Sequence, residues 1–518
     1  MKIYLLLFSL LTSSLIYAQV PEDAVRYSFY PQNGTARNMA VGGVMGSLGG
    51  DINATFVNPA GLGFYKTNEF VITPGFFLNN NQAKFRDTDT KNNKNSFGFG
   101  TTGWVFGHSN GSNAQTSSAF SIAITQTANF NNVIRYKGLN NYSSFSEQFA
   151  EEFAKSGYSI DEALGYNAPL PYTVAPALYT YLIDTVTVGG NIQVKAAPEY
   201  ILDGGGALQQ EMIKTTKGGL SELAIGFAHN SKDKWFIGGT LGIPLVNYSS
   251  NTVFKESDTS SNTANYFKQF EYTDDFTTTG IGINAKIGII YRPQDYIRLG
   301  LAIHTPTWMF LNDTRTTSLV TEVENPIDKF SVTSQTFTNG KPGEAKYIQR
   351  TPFKAMISGS YVFREVKDVT RQKGFISADI EYVHHRGSRF SSDNEEATDE
   401  EMAQYKAYYK ALNNVVKKDY KGNLNFRVGG ELKFKVIMAR LGFAYYSNPY
   451  KDAAYKASRM LLSGGLGYRN KGFFVDLTYV HAINKDVSFP YRLQDRANTY
   501  ATLKQQRGNV VATVGVKW

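Results

Sequence analysis

The last eleven residues, Gly508 to Trp518, alternate strictly between two kinds of side chain. Val510, Ala512, Val514, Val516 and Trp518 form one phase; Val511, Thr513, Gly515 and Lys517 form the other. A strand has side-chain period two, so such a segment shows an apolar face to one environment and a mixed face to another. A closing Trp, placed where a strand leaves a bilayer, is the pattern of an outer-membrane barrel.

Residues 1–18 read as a secretory leader. Lys2 is its positive region, Ile3 to Ile16 its apolar core, and Ala18 the small residue before a cut at Gln19. Ile16 is large for its position, and the run is short for a membrane anchor. No later stretch approaches the roughly 18 uninterrupted apolar residues of a spanning helix. The 33 Tyr, 35 Phe and 47 Gly favour a β-rich chain with aromatic girdles. The absence of cysteine excludes disulfides, thiolate metal sites, cysteine catalysis and a lipid-modified N-terminal Cys. The net charge is +9, but Lys and Arg are scattered among acids rather than gathered on one face. Nucleic acid is therefore not an expected partner, and the excess is assigned to loops facing an anionic cell surface.

Period-two segments number about fourteen: 70–77, 96–106, 118–128, 219–229, 235–247, 278–291, 296–306, 352–363, 374–385, 422–434, 436–446, 458–468, 473–481 and 508–518. Their connections alternate in length. Segments 107–117, 230–234, 292–295, 364–373, 434–436 and 469–472 are short; 78–95, 129–218, 248–277, 307–351, 386–421 and 482–507 are long, with 447–457 intermediate. Short periplasmic turns and long outer loops belong to membrane barrels. The fold class predicted is all-β: a transmembrane antiparallel barrel of about 14 strands, occupying 70–518.

Charge decides which face looks inward. Leu424, Phe426, Val428, Leu432 and Phe434 oppose Asn425, Arg427, Glu431 and Lys433, and the other strands repeat the pattern. A basic residue at mid-depth on the lipid face costs about 2–4 kcal/mol. Placing Lys286, Arg298, Lys354, Arg427, Lys433, Arg440 and Arg459 outward would cost roughly 14–28 kcal/mol, against a folding margin of about 5–15 kcal/mol. The charged phase must face the lumen. There, Glu381, Arg427, Glu431 and Arg440 are expected to pair across neighbouring strands.

Two long loops carry helix signals. Ser144 with Glu147 reads as a capping box before Phe145, Phe149 and Phe153, with Gly157 as the stop. Thr398 with Glu401 reads as a second box, before Met402, Tyr405, Tyr409, Leu412 and Val416. These helices either pack their loops onto the barrel mouth or offer an apolar landing surface; Phe145, Phe149 and Phe153 are the candidates for ligand capture.

Residues 34–65 are rich in small side chains and do not read as a lipid-facing strand. Starting on the periplasmic side, they can fold into the lumen and plug it, so 19–69 is expected to be a hatch. In its turn, Pro59 fixes φ and Asn58 bonds its own backbone. The segment contains Ala36-Arg37-x-Met39-Ala40-x-Gly42-Gly43, Asp51, and above all Asn58-Pro59-Ala60-Gly61-Leu62; further along come Gly282 to Gly288, Tyr291-Arg292-Pro293, His304 to Thr307, Gly429-Gly430-Glu431 and Asp476 to His481. In these motifs the chain resembles the OmpP1/FadL/TodX family of outer-membrane transporters. The resemblance implies a fourteen-stranded barrel with a lumenal hatch gated at Asn58, Pro59, Ala60 and Gly61, ligand passed to an interior apolar pocket, and sideways release beside a kinked third strand. Here 118–128 runs into Asn129-Phe130-Asn131-Asn132, which can host the break but lacks a Gly-rich kink.

The function expected is passive uptake of long-chain fatty acids or aromatic hydrocarbons across the outer membrane, without enzymatic activity, cofactor or metal. Other expected partners are outer-membrane lipid and lipopolysaccharide, and the barrel-assembly machinery through Trp518; the protein is expected to be a monomer. Alternatives are a haemin-binding receptor, for which six scattered His and many Tyr offer axial ligands, and a structural or adhesive barrel. No G-x-S-x-G motif supports a barrel lipase.

Overall fold

The computed structural model describes residues 23–110, 113–324, 328–364, 373–394, 397–453 and 457–518. The leader expected at 1–18 lies outside the described residues, as does most of the expected turn at 364–373.

Fourteen antiparallel wall strands close into a barrel. In chain order they are β1 (Glu69–Ile72 and Pro74–Phe85), β2 (Thr88–Asn93, Ser96–Phe99 and Thr102–Asn110), β3 (Asn113–Asn129 and Asn132–Asn140), β4 (Leu208–Ser231) and β5 (Trp235–Asp258). Then follow β6 (Gln269–Gln294), β7 (Ile297–His304 and Trp308–Val323), β8 (Gly343–Arg350 and Lys354–Phe363), β9 (Gly374–His384 and Arg389–Ser392) and β10 (Gly422–Phe434). The last are β11 (Ile437–Tyr446), β12 (Arg459–Asn470), β13 (Phe473–Ser488) and β14 (Ala501–Lys517). Closure pairs Glu69 with Lys517 and Gly75 with Val511.

Each predicted strand is present, in order and on the predicted face. Outward phases carry exposed Leu, Ile and Phe such as Leu441, Leu466 and Ile287, with Trp104, Trp235 and Trp518 among the exposed aromatics. Lys286, Arg298, Arg427 and Arg440 are buried in the lumen, and Lys354 and Arg459 lie against the lumenal rings of Tyr30 and Phe29.

The expected long loops need correction. Segments 248–277 and 307–351 are largely strand, and 129–218 carries wall strand at both ends: β3 resumes at Asn132, β4 starts at Leu208, β5 runs to Asp258, and Asp328–Thr333 adds a short outer strand. The same holds for 78–95 and 482–507. On β5 the outward apolar side chains end at Leu245; beyond it Asn247, Asn251 and Lys255 point out and Val246, Tyr248 and Phe254 point in. Once above lipid, the outer face meets water and the inner face must supply the core, so alternation persists with its sign reversed.

Residues 141–207 fold over the outer mouth as helices Glu147–Ser156, Ile160–Leu164, Val174–Tyr179 and Glu199–Asp203 with a hairpin of Ile183–Val188 and Asn191–Ala196. The helix Asp399–Asp419 covers another sector, packing Tyr409, Leu412 and Val416 beside Phe390 and Tyr347. Its Thr398–Glu401 capping box is complete. The Ser144–Glu147 box is not: Ser146 occupies the N-cap position of Glu147–Ser156 without a side-chain capping bond, while Ser144 Oγ turns to Glu256 and Ser146. Gly157 does end that helix, at φ 74°.

Candidate functional site

The site is assembled from the hatch, the lumen wall and a gap in that wall. Residues 23–68 fill the lower lumen, with Ala36–Ala40 capped by Thr35 and a 3-10 turn at Pro59–Phe64. Asn58, Pro59, Ala60 and Gly61 are fully or almost fully buried in it. Asn58 Oδ1 accepts from the Ala60 N–H at 3.1 Å, and its Nδ2 reaches the Gly46 carbonyl at 2.5 Å and the wall carbonyl of Leu301 at 3.4 Å. His304 Nε2 lies 2.8 Å from the Val57 carbonyl.

The wall is carved to receive this segment. A Cβ on Gly288 would sit 1.8 Å from Asn58 Oδ1, on Gly238 2.5 Å from Pro59, on Gly300 2.0 Å from the Gly46 carbonyl, and on Gly442 2.0 Å from the Gly42 nitrogen. Around the circumference, Thr513 Oγ1 accepts from the Ala36 N–H (2.7 Å), Thr478 Oγ1 donates to the Ala36 carbonyl (2.6 Å), and Asp379 accepts from the Met45 and Gly46 N–H groups (3.1 and 3.3 Å). A plug held by so many buried polar contacts, each costly to leave unmade, is anchored on most sides of the barrel.

The four residues expected to form one lumen network fall into two groups. Arg440 pairs with Glu431 at 2.6 Å and with Asp476 at 2.5 Å. Arg427 lies 3.7 Å from Asp379 and 3.6 Å from Glu381. Arg37 of the hatch joins the first group through Glu431 at 3.6 Å. Sequence reasoning placed Asp379 and Asp476 on the inward charged phase but did not include them in the network.

Phe145, Phe149 and Phe153 are brought together, but inside. They are 2–5 % exposed, packed with Phe254, Phe270, Tyr272 and Tyr491. They form the core of the outer cap: Phe149 and Phe153 on the helix, and Phe145 just before it, meet the reversed inner face of β5 and β6.

The gap lies between β2 and β3. Their backbone ladder runs from Asn110–Asn113 up to Thr102–Ile124 and stops. Higher up, β3 carries a bulge at Gln126–Ala128 and breaks between Asn129 and Asn132. Side-chain amides stitch the edges instead. Asn33 of the hatch segment donates from Nδ2 to the Gln126 carbonyl (2.6 Å) and the Phe99 carbonyl (3.3 Å), bridging the two strands. Asn79 and Asn81, reaching across from β1, and Asn92 on β2 donate to the β3 carbonyls of Asn131 (2.8 Å), Val133 (2.6 Å) and Arg135 (3.2 Å). Buried Asn33 Oδ1, Gln126 Oε1 and Asn129 Nδ2 have no hydrogen-bond partner among the described residues.

Behind this seam is a cavity of about 400 Å³. Its lining is mixed: Phe29, Tyr30, Phe77, Ala128, Phe130 and Leu461 are apolar, and Asn79, Gln126, Asn129 and Asn509 with Arg26, Arg459 and Arg507 are polar. Arg459 stacks 4.4 Å from the Phe29 ring and Arg26 4.4 Å from Tyr248. No histidine is among the described lining residues.

The sequence matches no protein-family model and no curated protein. Solved structures do match. The P. putida toluene transporter TodX is similar at 12% identity over 94% of this chain and 99% of its own, with a TM-score of 0.53. A Pseudomonas aeruginosa FadL homologue is similar at 13% identity over 93% and 98%, with a TM-score of 0.52. The chain has the fold of these proteins, from the hatch to the last strand.

Proposed function

We propose that this chain, built on the fold shared by TodX and the FadL homologue, is a bacterial outer-membrane channel for passive uptake of hydrophobic small molecules such as long-chain fatty acids or aromatic hydrocarbons. The observation that carries the reading is the amide-stitched seam between β2 and β3 in front of a cavity partly walled by Phe29, Tyr30, Phe77 and Phe130. An apolar solute arriving through the lumen meets an anchored hatch below. To one side it meets a wall whose backbone ladder is missing. Leaving sideways separates only side-chain amides, each worth about 0.5–1.5 kcal/mol net, whereas expelling the hatch breaks buried contacts all around the barrel. Asn58, Pro59, Ala60 and Gly61 then act as the latch that fixes the hatch, and the ion-pair groups of Arg427 and Arg440 as its seat. Trp518, 59 % exposed and paired to Asn68 where the barrel closes, is the proposed contact for the barrel-assembly machinery.

Uptake of labelled oleate and toluene by a deletion strain and its complemented parent tests the proposal. Slower uptake of at least one in the deletion strain is expected; equal rates for both would refute it.

A further inference from the structure

Above the lipid belt, the outward faces of four adjacent strands carry a row of lysines. On β13, β14, β1 and β2, register places Tyr479, Val510, Phe76 and Phe97 side by side at the top of the apolar surface. Two residues higher come His481, Gly508 and Leu78, and then an amide row containing Gln506, Asn80 and Asn93. The next row is Lys485–Lys504–Gln82–Lys91, each directly opposite the next. All three lysines are exposed.

Like charges directly opposite across a ladder are destabilising, and Lys485 faces Lys504 with no relief built into the row. The neighbouring acids are engaged or turned elsewhere. Asp89 stands opposite Lys84 one row higher, Asp486 occupies the alternate phase of β13, and Glu211 on β4 pairs with Arg135 at 2.6 Å. No ion pair of Lys485, Lys504 or Lys91 is formed among the described residues.

Height identifies the occupant. The lysine row lies four residues above His481 and Leu78, roughly 13 Å along the strand and about 10 Å along the barrel normal once tilt is allowed for. Lysine stems reach back toward an interface, which brings the ammonium groups to the level of lipid headgroups. The row spans three strand spacings, roughly 14 Å, and Gln82 in its middle adds an amide donor for oxygen acceptors. Anything held here has its apolar part directed down over Tyr479 and Phe76.

We propose that Lys485, Lys504, Gln82 and Lys91 form a binding site for the phosphorylated headgroup of an outer-leaflet glycolipid of the lipid A type. The site rests on the outer-membrane location, not on transport, and is tested on purified protein without any uptake assay. Native mass spectrometry of the detergent-solubilised chain would follow titration with bis-phosphorylated lipid A, the same lipid after phosphatase treatment, and phosphatidylglycerol. The intact protein should bind phosphorylated lipid A at least tenfold more tightly than either comparison lipid. The K91Q/K485Q/K504Q variant should lose that preference while keeping the heat-modifiable gel shift of a closed barrel. Equal binding of the treated lipid, equal binding of phosphatidylglycerol, or unchanged preference in the triple variant would each overturn the proposal. Should the triple variant fail to fold, K504Q alone must weaken lipid A binding at least threefold.

Discussion

Replacing Glu256 with Gln should flatten a pH response in the outer cap. Glu256 is fully buried on β5, eleven residues beyond Leu245, where the outward apolar surface of that strand ends. Its hydrogen-bond donors are neutral: Ser144 Oγ, the Phe145 N–H at 3.2 Å and Gln210 Nε2 at 2.6 Å. Nearby Glu147 accepts from the Ser144 N–H and pairs with Arg496 at 3.3 Å. Burial pushes the Glu256 carboxyl up from 4.5 to about 7, and burial likewise raises Glu147 to about 7. Between these values the native cap holds more protons than the opened cap, so its stability is full below about pH 4.5 and falls as pH rises through about 7. At about 1.4 kcal/mol per unit, Glu256 alone accounts for about 3 kcal/mol, roughly two decades in the opening constant. Hydrogen exchange of the 145–156 amides, corrected for intrinsic rates, should show that loss of protection from pH 5 to pH 8. The Gln amide can donate to Ser144 Oγ while its carbonyl accepts from the Phe145 N–H, so E256Q should retain protection and lose most of the drop; E147Q/E256Q should lose nearly all of it. Protection that stays constant or rises with pH in the parent protein would refute the reasoning.

Other perturbations separate the parts. Gly288→Val forces a side chain into the space of Asn58 and should cost about 1–3 kcal/mol, loosening the hatch and sensitising cells to small hydrophilic antibiotics; Gly359→Val, with open space around its Cβ, should not. Arg440→Leu removes the close cation shared by Glu431 and Asp476, leaving them only the longer contacts to Arg37 (3.6 Å) and Arg469 (3.8 Å), and should lower barrel stability in urea unfolding by about 3 kcal/mol. Phe145→Ala should cost about 3–5 kcal/mol through the cap core, raising protease sensitivity of 141–207 with little change in hatch protection.

Within the membrane the fold was legible because lipid imposes one rule on every strand: apolar outward, charge inward. Leu424 to Phe434 obey it, and so do Ile437 to Tyr445. Above Leu245 the rule inverts, and a search for lipid-facing alternation reads Tyr248 and Phe254 as loop. Phe145, Phe149 and Phe153 were recognisable as one apolar stripe, but the face they pack on, on β5 and β6, lies where the alternation has reversed and was not legible. The hatch motif at Asn58 was visible, whereas the glycines that seat it, Gly238, Gly288, Gly300 and Gly442, are scattered over four strands and meet only in space. The seam was half legible: Asn129 to Asn132 marked the break, but the bridging amide of Asn33 is distant in sequence.

Cross-linking the seam tests the central claim most directly. Gly98→Cys and Gln126→Cys place thiols on β2 and β3 where a Cβ on Gly98 would lie 2.4 Å from the Gln126 side chain. Bridging them with a short bis-methanethiosulfonate reagent should cut uptake of hydrophobic solute at least tenfold, with recovery on adding reductant. Uptake that continues at the parental rate through a fully cross-linked seam would contradict lateral release.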